Sequence, residues 1–210
     1  MAEYEAAKTA AEATGLIVMG ALHPDEGGTL ILLGAGPAFW PVFQAAPEAQ
    51  DGAPDPVDRW SARVIGALAG QFDARAVFPF GGPPYAPFIR WALESGRAFH
   101  SPVGMLVHDK VGMMISYRGA LHLPRRIALA PATVPSPCTT CAGRPCTTAC
   151  PVGALSGSHA YDLEACHSYL DSPPGQDCMA NGCAVRRACP VSQGHGRLEA
   201  QSAFHMRAFR

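Results

Sequence analysis

Apolar positions divide the chain into short buried runs separated by glycine and proline. Ala2 to Thr14 is alanine-rich with Gly15 at its stop position, which predicts a helix. Leu16 to Leu22 and Thr29 to Leu33 are apolar without alternation, the pattern of buried strands, and Gly27-Gly28 punctuates them. Pro37 to Ala46 predicts a short helix with Phe39, Trp40 and Phe43 on its apolar face. A clearer helix follows. Asp55 stands at the N-cap, Pro56 at the first helical position and Asp58 in the first turn. Trp60, Val64, Ile65, Leu68 and Phe72 then recur with helical spacing as one buried stripe. Ala76 to Phe80 reads as a strand, Gly81-Gly82-Pro83-Pro84 as a rigid loop and Pro87 to Gly96 as a helix. Val103 to His108 and Val111 to Gly119 predict a hairpin around Asp109-Lys110. Along its second strand, Val111, Met113, Ile115 and Tyr117 point one way, and Gly112, Met114, Ser116 and Arg118 the other.

Beyond this point the periodicity fails. Pro124 to Pro137 carries four prolines, and the domain boundary is expected near Ala130, giving domains 1–130 and 131–210. The second is dominated by cysteine. All eight cysteines of the 210-residue chain lie there: Cys138, Cys141, Cys146 and Cys150-Pro151, then Cys166, Cys178, Cys183 and Cys189-Pro190. Eight thiolates are the ligand count of two [4Fe–4S] clusters, and Cys-Pro closes the bacterial ferredoxin run C-x2-C-x2-C-x3-C-P. The first set here reads C-x2-C-x4-C-x3-C-P, and the second, C-x11-C-x4-C-x5-C-P, is looser. Two zinc ions would also be satisfied by eight thiolates, but no C-x2-C pair recurs in the second set and zinc has no need of Cys-Pro. Disulfides require an oxidising compartment, whereas the N-terminus is acidic where a signal peptide is basic.

Composition narrows the setting. Net charge is −1, so nothing calls for a nucleic-acid partner. No apolar run approaches the ~20 residues that span a bilayer. The expectation is a cytoplasmic protein with no membrane association. With 48% hydrophobic residues, the first domain has enough apolar side chains for a core.

Cys150-Pro151-Val152-Gly153-Ala154-Leu155, the stretch from Asp162 to Cys166 into Ser168-Tyr169-Leu170, and Cys189-Pro190 resemble the iron–sulfur part of epoxyqueuosine reductase and of reductive dehalogenases. That resemblance implies interleaved ligation: Cys138, Cys141, Cys146 and Cys189 on one cluster, Cys150, Cys166, Cys178 and Cys183 on the other. Two-cluster ferredoxins likewise send the Cys-Pro cysteine to the other cluster. Gly28-Thr29-Leu30, Asp55-Pro56-Val57-Asp58 and Tyr117-Arg118-Gly119 with Leu121 and Leu123-Pro124 resemble the CblC-type cobalamin-processing family. The implied fold class is α+β: a CblC/nitroreductase-like α/β sandwich followed by a small two-cluster ferredoxin-like domain. The implied function is transfer of electrons from the clusters to a corrinoid (cobalamin) for cobalt reduction or removal of its upper ligand. Arg118, Ser116 and Tyr85 are the candidate cofactor-binding residues. FMN, which the nitroreductase-like fold also holds, is the less favoured cofactor.

The chain departs from epoxyqueuosine reductase after Phe80, where Gly81-Gly82-Pro83 stands in place of that enzyme's acid. Queuosine chemistry is therefore not expected. The competing reading is a ferredoxin-type electron carrier for a redox partner protein, with a non-catalytic N-terminal domain. Analogy with both families leaves a homodimer open. His167, next to Cys166, is a candidate hydrogen-bond partner near a cluster. The tail residues Leu198, Phe204, Met206 and Phe209 are expected to pack back on the first domain.

Overall fold

A computed structural model describes residues 1–130 and 134–210. The protein mixes helix (41%) and strand (15%), an α+β composition. It divides into two compact units, residues 1–97 with 116–134, and residues 98–115 with 135–210.

In the first unit, helix α1 (Ala2–Ala13) leads into β1 (Leu16–Leu22), which forms an antiparallel hairpin with β2 (Thr29–Ala35). Helices α2 (Phe39–Gln44), α3 (Pro56–Gln71) and α4 (Phe88–Glu94) follow, with the short strand β3 (Arg75–Val77) between the last two. The sheet is completed from further along the chain by β6 (Tyr117–Leu123), in the order β1-β2-β6-β3. Every residue of β2 is buried, which explains its unbroken apolar run: it is an inner strand of a sheet on which helices pack. Gly28 turns the chain into β2 at φ +77°, with its Cα pressed on the Leu123 carbonyl, where a side chain has no room. The largest core side chains are aromatic. Phe39 and Phe43 stack at 5.6 Å, and Trp60 meets Phe39 edge-on at 5.1 Å.

Local expectations hold with adjustments. Asp55 precedes α3 in a left-handed conformation (φ 51°) and its side chain makes no capping bond. The turn before the helix is held instead by Asp51, which accepts from the Ala53 amide and pairs with Arg59. The strand expected over Ala76 to Phe80 ends at Val77, because Pro79 has no N–H for the ladder. Phe78 and Phe80 leave the sheet as a ring stack at 5.0 Å.

The expected hairpin of Val103–His108 with Val111–Gly119 does not form. Strand β5 (Leu106–His108) pairs instead with β4 (Ala98–His100), and beyond it only His108 and Gly112 bridge. β6 finds its partners in β2 and β3, Gly119 opposite Leu33 and Ala120 opposite Val77. The expected two-faced alternation from Val111 fails with it: Val111, Gly112, Met113 and Met114 are all buried.

The second unit consists of the β4–β5 hairpin and short helices: α5 (Leu163–Leu170), α6 (Gln176–Asn181), α7 (Ala184–Ala188), α8 (Pro190–Gln193) and α9 (Glu199–Phe209). Residues 98–115, placed in the first domain by the sequence reading, belong to this unit. Val103, Val107 and Met113 share a core with Cys146, Leu155, Val185 and Cys189. Gly112 (φ +58°) lies so close to the Ser192 backbone that a Cβ would meet the Ser192 Cα at 2.8 Å. The expected boundary at 130/131 adjoins residues 131–133, which lie outside the described residues, and the second unit resumes at Pro135. The tail is also part of this unit: α9 packs on α6.

Candidate iron–sulfur site

All eight cysteines are free thiols. Cys138 sits in a turn built on Ser136, whose hydroxyl accepts the Cys138 amide (3.3 Å) and whose carbonyl accepts the Thr139 amide (3.0 Å). Cys146 lies in a single 3₁₀ turn, Pro145–Thr147, entered through Arg144 at φ 38°. Cys189, far along the chain, links α7 to α8. Pro190 opens α8 at the first helical position, where its missing N–H leaves no bond unmade. Cys146 and Cys189 belong to an apolar cluster with Val103, Val107 and Val185, against which Cys138, Cys150 and Cys183 also pack. The Cys138 and Cys146 thiols are pushed up chiefly by burial, and then by the charges of neighbouring thiols, which for both include Cys141 and Cys189.

Cys166, Cys178 and Cys183 come from α5, α6 and the start of α7, and Cys150 from the turn closed by the Gly153 amide on the Cys150 carbonyl (3.1 Å). Asp162 caps α5, accepting the Ala165 amide at 2.9 Å. Burial again pushes the Cys166 and Cys178 thiols up. The thiol charges acting on Cys166 are those of Cys183, Cys150 and Cys178, and on Cys178 that of Cys183. Neighbouring donors oppose the rise: the Tyr161 hydroxyl on Cys166 and the Ala184 amide on Cys178. The thiol charges that act on one another thus link Cys138, Cys141, Cys146 and Cys189, and separately Cys150, Cys166, Cys178 and Cys183.

Among the described residues, no group of three or more His, Cys, Asp or Glu side chains is arranged to hold a metal ion.

The three candidate cofactor-binding residues all lie in the first unit. Arg118 is half-buried on β6. Its Nη1 donates to Asp58 Oδ1 at 3.2 Å and its Nε to its neighbour's carbonyl, Tyr117 O, at 2.9 Å. Burial lowers the Arg118 pKa and raises that of Asp58. Asp58 and Arg118, both in the quoted CblC-like motifs, are therefore brought together as an ion pair. Thr29, a third motif residue, is buried and structural, donating to Arg125 O and accepting the Ile127 amide, both at 3.0 Å. Ser116 is half-buried, and its carbonyl accepts the Ala35 amide. Tyr85 is 65% exposed beyond the Gly81–Pro84 loop, whose Gly82–Pro83 and Pro83–Pro84 bonds are cis. Among the described residues no hydrogen bond or ring contact ties Tyr85 to Ser116 or Arg118.

His167 turns to the tail, its ring edge-on to Phe209 at 5.0 Å. Sequence reasoning missed Ser136, whose hydroxyl accepts the Cys138 amide in the turn at the first thiol. No helix among the described residues is long and apolar enough to cross a membrane. No protein-family model matches this chain, and no curated protein matches it.

Proposed function

We propose that this chain is an iron–sulfur electron-transfer protein holding two [4Fe–4S] clusters, one on Cys138, Cys141, Cys146 and Cys189 and the other on Cys150, Cys166, Cys178 and Cys183. The charge effects that link the eight free thiols as two sets of four carry this reading. When bound, such clusters accept and release single electrons. The protein's part is to exclude water and set the surroundings of the sulfurs. Val103, Val107, Met113, Leu155 and Val185 do this around Cys146 and Cys189, with Cys138, Cys150 and Cys183 packed against the same cluster. The electrons go to a redox partner protein.

The test is a ligand series read by EPR on anaerobically reconstituted, reduced protein. Cys189→Ala and Cys138→Ala are expected to damage the same signal, and Cys166→Ala the other. If Cys189→Ala instead mimics Cys166→Ala, the interleaved assignment fails.

A second reading makes a corrinoid bound to the first unit the electron acceptor. The exposed apolar surface of Tyr85 and Ile89, each 65% accessible around α4, favours it. Against it, the Arg118 cation is already engaged by Asp58, so an anionic co-substrate there would have to displace a carboxylate. Cobalamin titrated into the reconstituted protein separates the two. A base-off spectrum that Arg118→Ala abolishes supports the corrinoid, and an unchanged spectrum leaves the carrier.

A further inference from the structure

Three large apolar side chains next to the second thiol set lie open to solvent: Val152 is 44% exposed, Tyr161 42% and Leu163 48%. Backbone bonds tie their segments to one another and to two of the thiols. The Asp162 amide donates to the Ala154 carbonyl at 2.9 Å, joining Tyr161–Leu163 to the turn that carries Val152. That turn is closed by the Gly153 amide on the Cys150 carbonyl (3.1 Å), and the Asp162 carbonyl accepts the Cys166 amide (3.2 Å). The three side chains therefore stand on the backbone that connects Cys150 to Cys166. The charge around them has one sign. Between Arg144 and Arg186 the chain carries four carboxylates and no lysine or arginine. Two of these, Asp171 and Asp177, are paired with Arg210 and Arg187. The other two, Asp162 and Glu164, are exposed and alternate with the apolar side chains as Tyr161-Asp162-Leu163-Glu164. Asp162 also caps α5. Neither has an ion-pair partner among the described residues.

We infer that this strip docks the redox partner, and that the partner is a protein whose own face sets lysine or arginine side chains around an apolar centre. This rests on the two-cluster reading above. Covering Val152, Tyr161 and Leu163 removes apolar surface from water and brings the partner towards Cys150 and Cys166, while its cations meet Asp162 and Glu164 at the rim. The opposite charges speed and orient the encounter, and the apolar centre holds the complex once formed. One electron then passes from the reduced cluster, which is oxidised, to the partner's redox group, which is reduced. The strip makes and breaks no bond and moves no proton.

The experiment is stopped-flow reduction of ferricytochrome c, a lysine-rich haem protein that takes one electron, by reduced, reconstituted full-length protein at low and high salt. Wild type, Glu164→Lys, Leu163→Ser and Glu12→Lys are compared, each with iron and sulfide analysis and midpoint potentials. Glu12→Lys makes the same charge change at an exposed position of α1 in the first unit. The wild-type rate constant is expected to fall as salt rises. Glu164→Lys is expected to lower it about three- to tenfold at low salt and less at high salt. Leu163→Ser should lower it at both, and Glu12→Lys should leave it in place, all at unchanged iron content and midpoints. Should Leu163→Ser lose iron, Val152→Ser takes its place. A wild-type rate indifferent to salt overturns the inference. So does a Glu164→Lys protein no slower than Glu12→Lys, or an apolar variant as fast as wild type. A dimer in sedimentation that Leu163→Ser dissolves overturns it too, by giving the strip to a second copy of this chain. If the wild type assembles no [4Fe–4S] cluster at all, the proposed function itself has failed.

Discussion

The two units are held together by different means. The first has a four-stranded sheet, a 16-residue helix and a core of Phe39, Phe43, Trp60 and the aliphatic run of β2. The second has helices of 8, 6, 5, 4 and 11 residues, too short to persist on their own, and a core in which cysteine stands among a few valines, a methionine and a leucine. In the first, burial of large side chains does the work. On the proposed two-cluster reading, cohesion in the second falls to the clusters, because a small apolar core alone does not hold so many short pieces.

Cluster removal tests this contrast most severely. All three tryptophans, Trp40, Trp60 and Trp91, lie in the first unit, so their fluorescence reports on that unit alone. Oxidation with a chelator is expected to open residues 135–210 to protease while the tryptophan emission stays in place. Simultaneous loss of both would show that the units do not differ as described. On the other side, Trp60→Ala should cost about 3–5 kcal/mol in urea unfolding followed at the remaining tryptophans, the loss of a fully buried aromatic from a packed core.

Truncation after Gln193 removes α9, which packs on the Cys178 helix and pairs Arg210 with Asp171. The expected loss is roughly 2–3 kcal/mol, the upper range for a local change, read as a lower melting temperature of the cluster absorption. An unchanged melting temperature refutes any role for the tail in the second unit. The smallest effect is electrostatic and belongs to the first unit. Arg63 holds the Glu48 carboxyl down to about 2 from its ordinary 4.5, chiefly by hydrogen bonding. Because the folded value is depressed, the contribution is complete above pH 4.5 and is lost as pH falls towards 2. Arg63 is half-exposed and screened by water and salt, so Arg63→Ala should cost at most about 1 kcal/mol at pH 7. The gap between the two proteins should close on acidification; a gap constant from pH 7 to 2 would exclude the pair as its source.

Much of the first unit was legible because its signals are local. The Ala2–Thr14 helix, the two apolar strands and the stripe from Trp60 to Leu68 each carry their pattern within a few turns or a single strand. The hairpin across Asp109-Lys110 misled for the same reason. Two adjacent apolar runs are the ordinary local signature of a hairpin, yet β6 has lower-energy partners in β2 and β3, far away in sequence. The neighbours of the thiols were invisible, since the apolar side chains and cysteines that pack together come from segments far apart in sequence and meet only when the chain folds.

By itself, the sequence determined the cysteine count and the local elements that carry the thiols, because spacing, capping and apolar periodicity act over a few residues. The tertiary structure alone decided that Asp58 faces Arg118 and that Val103, Val107 and Met113 join the cysteine unit. Each of these is a choice between distant partners, settled by which long-range packing buries the most apolar surface while leaving the fewest polar groups unpaired.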